Sequence, residues 1–238
     1  MKKTMNMKTL PLIAICALLI SSTGCKKDAE DEAQDPLIPT IETGFVSDFE
    51  GNSYRTVKAG SQWWMAQDLR TTKLNNGVPI PVKTDINDWV NTPNPAMCYY
   101  ENDTANGTTY GALYNYNAVS SEKICPVGWH VPTQEEWTAL ANTLGGNDIA
   151  GGKMKETGTA HWNNPNTGAT NESKFTAVPS GSRTEQGYFG GLHNYSLWWT
   201  RTLYSTGAWA RDATYGDIKS SQSCQALRSG LSIRCVRD

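Results

Sequence analysis

The sequence carries almost no net charge. At −2 over 238 residues it lacks the basic stripe needed to neutralise a phosphate backbone, which excludes nucleic acid as a partner class. Long aliphatic stretches are scarce as well. Hydrophobic residues make up only 38%, so a core has to be drawn largely from aromatic side chains. The absence of any C-x-x-C pair argues against a thiolate-held metal. No G-x-S-x-G, H-E-x-x-H or P-loop pattern occurs, which removes the usual hydrolase, metalloprotease and nucleotide-binding signatures. Histidine is limited to His130, His161 and His193, and none sits in a pattern that supplies a nucleophile or an orienting partner. No repeat of fixed period is present.

What is present is aromatic and turn-rich. Nine tryptophans and ten tyrosines supply large buried areas, and 21 glycines with many Asn, Ser and Thr residues predict short strands, frequent turns and long loops.

The chain begins with Lys2, Lys3 and Lys8, followed by an apolar run from Leu10 to Ile20 that is too short for a finished membrane span, and then Ser22-Thr23-Gly24-Cys25. Residues 1–24 therefore read as a lipoprotein signal peptide, with Cys25 at the lipidation position of a bacterial lipobox. Residues 25–43 read as a solvated tether, since the stretch KKDAEDEAQDPLIPT after Cys25 is charged, acidic on balance and has Pro36 and Pro39 near its end. They are similar to the short charged tag that sends some lipoproteins to the outer face of the outer membrane. The expected location is thus the outer membrane, lipid-anchored and exposed at the cell surface, with a periplasm-facing protein as the alternative. Cys98, Cys125, Cys224 and Cys235 remain for an oxidising compartment, and two disulfides in any of three pairings are expected.

Residues 44–238 read as one domain. The run GFVSDFEGNSYRTVKAGSQWWMAQDL predicts three strands joined by turns at Glu50-Gly51-Asn52 and Ala59-Gly60. Residues 71–98 read as a long loop, and YGALYNYNAV as a helix. Thr133-Gln134-Glu135-Glu136 is a capping box, followed by an apolar stripe at Trp137, Leu140, Ala141 and Leu144 and a Gly145-Gly146 stop. Glu135 and Glu136 are thereby assigned to helix initiation; neighbours on a helix point about 100° apart and do not form a catalytic pair. Beyond residue 150 the chain reads as loop-rich, with late strands in SLWWTRT, GAWARDAT and LSIRCVRD.

Candidate ligand contacts fall in that late half. Sugars present C–H faces that stack on aromatic rings, which nominates Trp162, Tyr188, Trp198, Trp199 and Trp209 with Phe189 and Tyr195 beside them. Along a strand, Trp198 and Trp199 must face opposite ways, so one is expected in the core and one outside. Arg201, with Arg183 and Arg211, would give charge-assisted contacts to an acidic ligand. Asn163, Asn164, Asn166, Asn171 and Glu172 are oxygen donors of the kind calcium takes, yet they carry one carboxylate and no D-x-D-x-D-G loop. The segment reads first as turn structure, with no cofactor required and calcium as the metal its donors would suit. Asp103-Thr104-Ala105 resembles an O-glycosylation site of exported anaerobe proteins.

In order along the chain, GNSYRTVKAGSQWWMAQDL, CYYENDT, YGALYNYNAV, ICPVGWHVPTQEEW, GATNES, WWTRT and GLSIRCVRD resemble the Fibrobacter succinogenes major paralogous domain, which is common on lipoproteins of anaerobic bacteria. GWHVPTQEEW and GLSIRCVRD are also similar to segments of formylglycine-generating-enzyme-like domains. That likeness implies an α+β, C-type-lectin-like fold: a twisted mixed sheet, flanking helices and a long loop region, braced by disulfides. It further implies a Cys125–Cys235 pairing, which leaves Cys98 for Cys224. The formylglycine-generating enzymes use late-loop cysteines or copper bound to them. Here the cysteines are expected in disulfides, so the expected function is non-catalytic: a surface domain that binds an extracellular glycan. The alternatives are a structural or adhesive component that binds protein partners, and an enzyme of the formylglycine-generating type.

Overall fold

The computed structural model describes residues 41–238. The expected signal peptide, Cys25 and most of the expected tether lie outside the described residues. Among the described residues, no helix is long and apolar enough to cross a membrane.

In chain order the strands are β1 (Thr43–Ser47), β2 (Ser53–Ala59), β3 (Gln62–Met65), β4 (Met97–Cys98), β5 (Leu113–Tyr114), β6 (Trp129–His130), β7 (Ser180–Arg183), β8 (Phe189–Leu192), β9 (Tyr195–Tyr204), β10 (Gly207–Thr214), β11 (Gln222–Ala226) and β12 (Val236–Arg237). The α-helices are α1 (Ile86–Asn91), α2 (Asn106–Tyr110), α3 (Tyr116–Ser120), α4 (Gln134–Thr143) and α5 (Asn147–Met154). One sheet has the order β1-β2-β3-β12-β6, a second β11-β10-β9-β7-β8, and β4 pairs with β5. The second sheet is mixed, because β7 runs parallel to β9 while its other neighbours are antiparallel. With a curled, half-barrel sheet and few helices, the fold is α+β.

Local signals explain the first sheet and the main helix. The β1–β2 and β2–β3 hairpins follow the turn residues, with Val57 opposite both Thr43 and Trp64. In α4 the Thr133 hydroxyl accepts from Glu136 N at 3.1 Å and Glu136 Oε2 accepts from Thr133 N at 2.7 Å, the reciprocal box the sequence spells out. Trp137, Leu140, Ala141 and Leu144 are all buried. Gly145 and Gly146 then turn the chain with φ of 99° and 102°, values that a side chain disfavours.

Elsewhere the fold departs from the expected elements. The 71–98 segment holds α1, whose N-cap Asp85 accepts from Asn87 N and Asp88 N. YGALYNYNAV is split: Gly111, at φ +73°, ends α2, a short β5 follows, and Asn115 caps α3 through Ala118 N. A Cβ at Gly111 would lie 2.8 Å from Asp68 Cβ and from Leu69 O, so a side chain there would push α2 off the strand exit it packs against. The loop-rich half also contains α5 and β11, and LSIRCVRD contributes isolated bridges before the two-residue β12.

Two large apolar clusters share β3 and β9. Met65 and Trp199 belong to the first, with Tyr54, Leu69, Tyr114 and Ile233; Trp64 and Trp198 belong to the second, with Trp137, Trp162 and Phe175. Successive side chains on a strand point to opposite faces, so a strand with a core on each side buries both members of a Trp pair. Cys125 and Cys235 form a disulfide inside the first cluster.

Candidate functional site

The residues nominated from sequence do not form one platform. Trp162, Trp198 and Trp199 are 2%, 0% and 0% exposed. Their indole N–H groups are spent on Ala177 O at 3.0 Å, Asp68 Oδ1 at 2.9 Å and Tyr114 O at 2.7 Å. The expectation that one of Trp198 and Trp199 is exposed is corrected by the second cluster, which closes over the face that would have been free. Tyr188 is 64% exposed in the β7–β8 turn, Arg201 is exposed, and Trp209 is half-buried against the Tyr204 ring, centroids 4.1 Å apart. None of these residues lines a principal cavity. Arg183 and Arg211 are not solvated loop arginines either. Arg183 lies over Trp89 and donates to Gly187 O and Lys83 O, while Arg211 donates to Asn147 Oδ1 and Thr138 Oγ1. A guanidinium taken out of water needs such acceptors.

The calcium candidates bond to several different segments, and Asn166 Oδ1 is buried without a hydrogen-bond partner among the described residues. Asn163 Nδ2 donates to Asn194, Asn166 Nδ2 to Glu156 O and Gly158 O, and Asn171 Oδ1 accepts from Thr176 N. Glu172 pairs with Lys153 at 2.7 Å. Among the described residues, no group of three or more His, Cys, Asp or Glu side chains is arranged to hold a metal.

The expected Cys98–Cys224 disulfide is corrected: both are free thiols, Cys98 buried on β4 and Cys224 exposed on the edge strand β11. Burial pushes the Cys98 thiol up to about 11, with Arg183 opposing, so it is protonated at neutral pH and a poor nucleophile. Cys224 Sγ donates to Tyr204 O at 3.4 Å.

The polar side chains that do converge come from elsewhere. Asp68, just beyond β3, and Arg234, just before β12, form a fully buried ion pair. Asp68 Oδ1 accepts from Arg234 Nε and Trp198 Nε1. The Arg234 guanidinium lies 4.1 Å from the Phe175 ring centroid and donates to Phe175 O and Thr176 O. Burial pulls the Arg234 pKa below the ordinary arginine value, and Asp68 opposes that. Asp68 Oδ2 is buried with no hydrogen-bond partner among the described residues.

Asp68 and Arg234 line a cavity of about 180 Å³ together with Arg55, Arg70, Glu156 and His161. The Thr108 and Thr109 hydroxyl-bearing side chains of α2 line it from the other side. Glu156 Oε2 and His161 Nδ1 are 2.7 Å apart. A second cavity of about 330 Å³ shares Arg70 and Thr108 with the first and adds Asn52, Tyr99 and Glu50. The two make one groove. Tyr99 is half-buried and lies against Gly107, where a Cβ would come within 2.6 Å of its ring. Glu50 is held by Thr72 N at 2.6 Å and by the Thr71 and Thr72 hydroxyls.

The sequence reading passed over these residues, though one signal for them exists. Asp68 and Arg234 are opposite charges in two mostly apolar stretches with no other charged residue, WWMAQDL and LSIRCV. Charges in core segments are stable only when paired. The groove-lining Arg70, Tyr99 and Glu156 carry no comparable signal.

No curated protein and no solved structure matches this chain. The family model of the Fibrobacter succinogenes major domain matches residues 57–237, from β2 through β12, which includes Asp68, Arg70, Glu156 and Arg234 and leaves Arg55 just outside. This stretch covers most of the chain, and the protein belongs to the Fibrobacter succinogenes major domain family.

Proposed function

We propose that this chain is a lipid-anchored cell-surface protein whose single domain is a non-catalytic receptor for an extracellular glycan, and that its binding site is the Asp68–Tyr99 groove. In this reading Cys25 carries the lipid, the segment that follows extends the domain from the outer membrane, and the domain is a C-type-lectin-like frame. An α+β fold with a mixed sheet, and a disulfide between the entry to α4 and the last strand, support that frame.

The observation that carries the function is the composition of the groove. Exposed Thr108 and Thr109, two arginines and a half-buried Tyr99 ring line it. Sugars need fixed acceptors and donors for their hydroxyls and a flat apolar surface for their C–H face. The groove is open and lined mostly by polar residues rather than an enclosed apolar pocket, which suits a polyhydroxyl ligand better than a lipid or an aromatic cofactor.

A glycan array with the full-length protein tests the proposal. Binding is expected, and Tyr99→Ala is expected to remove it while the protein remains folded at the assay temperature, with a lower unfolding midpoint because the ring packs against the first cluster, whereas Trp209→Ala leaves it intact. An array without binding, or binding that survives Tyr99→Ala, overturns the assignment of this groove.

A further inference from the structure

We infer that the ligand of this groove is acidic: a uronate-type sugar whose carboxylate is held by Arg55 and Arg70. This rests on the glycan reading above and adds the chemistry of the recognised group.

The groove carries unmet positive charge. Each carboxylate around the groove already has protein partners: Asp68 has Arg234, Glu156 has His161, and Glu50 has the Thr71 and Thr72 donors. The two groove arginines do not. Among the described residues, neither Arg55 nor Arg70 makes an ion pair. Arg70 is positioned, because its guanidinium lies 4.7 Å over the Tyr54 ring and Nη2 donates to Ser53 O at 3.2 Å. Its remaining N–H groups stay available for a ligand. Both arginines line the first cavity, and Arg70 lines the second as well. A guanidinium matches a planar carboxylate with paired N–H donors. A sugar acid brings the anion for Arg55 and Arg70, and its ring hydroxyls suit the exposed Thr108 and Thr109 of the same cavity. The adjoining cavity with Tyr99 would take the next sugar, so the recognised unit is an oligosaccharide.

The test uses calorimetry on the full-length protein with trigalacturonate and with its fully methyl-esterified form, which differ only in charge and the ester methyl groups. The free acid is expected to bind at least about tenfold more tightly, the scale of one charge-assisted contact. That advantage shrinks at high salt, because Arg55 is exposed. Arg55→Gln and Arg70→Gln are each expected to weaken the acid about tenfold and leave the ester unchanged. Should Arg70→Gln also unfold the protein, Arg55→Gln and the acid–ester pair still decide. Equal binding of acid and ester overturns the inference and leaves the glycan reading standing. The same holds if only neutral glycans bind on the array. If no glycan binds at all, both fall.

Discussion

Opening the Cys125–Cys235 bond is the perturbation whose cost the structure best defines. The two cysteines are 110 residues apart in sequence. In the chain-entropy account, releasing a loop of that length gives the unfolded state about 5 kcal/mol of stabilisation. Domains of this kind are ordinarily stable by about 5–15 kcal/mol, so a third or more of the margin rests on one covalent bond. The native side of the balance points the same way. Cys235 immediately precedes β12, which is two residues long yet joins β3 to β6. Cys235 O accepts from Met65 N at 2.9 Å, so the bond also fixes the strand that holds the first sheet together. The assay is guanidinium unfolding of the full-length wild type and of Cys125→Ala/Cys235→Ala, followed by tryptophan fluorescence. With a slope of about 4 kcal/mol/M, the midpoint should fall by roughly 1 M. Peptide mapping of the non-reduced wild type should recover the cross-linked pair. A midpoint within roughly 0.2 M of wild type, on the same slope, would refute the reasoning.

Further predictions follow from other parts of the fold. Of the two free thiols among the described residues, a thiol reagent at pH 8 should label Cys224 in the native protein and Cys98 only after denaturation. Because burial raises Cys98 from 9.0 to about 11, the unfolded chain loses this proton first. Stability should therefore decline as pH rises from 9 to 11, and Cys98→Ala should remove that component. Lys155 is 0% exposed, and its Nζ donates to Thr167 O, Thr214 O and Asp217 O. Lys155→Met leaves these carbonyls unpaired and should cost about 2–4 kcal/mol by denaturant titration. Asp68→Asn uncouples a buried guanidinium and should cost about 3–5 kcal/mol. Trp198→Ala should lower stability by about 3–5 kcal/mol through the cavity it leaves in the second cluster. A Trp198→Ala protein that keeps its unfolding midpoint would show that this indole is not core.

What neighbouring residues can settle among themselves was readable in the amino-acid order. Turn residues between β1, β2 and β3, the Thr133–Glu136 box and the Gly145-Gly146 stop are set within a few positions of each other. Their hydrogen bonds form whatever the rest of the chain does. The family was legible for a related reason, since its short motifs are the segments that start and close this fold. Only the tertiary structure decided which surfaces stay wet. The alternation of Trp198 and Trp199 is identical whether one face of β9 or both are covered, and the covering comes from α4 and from the 155–178 segment. Pairing by distance in sequence is likewise blind: Asp68 meets Arg234 across 166 residues, and Cys98 and Cys224 never meet. The groove is assembled from β2, the exit of β3, α2, the segment after α5 and the approach to β12, with no local pattern to mark the residues each contributes. Periodicity reports which face of an element is apolar. It does not report what that face packs against, and that choice buried the nominated tryptophans and left Arg55, Arg70 and Tyr99 around a common groove.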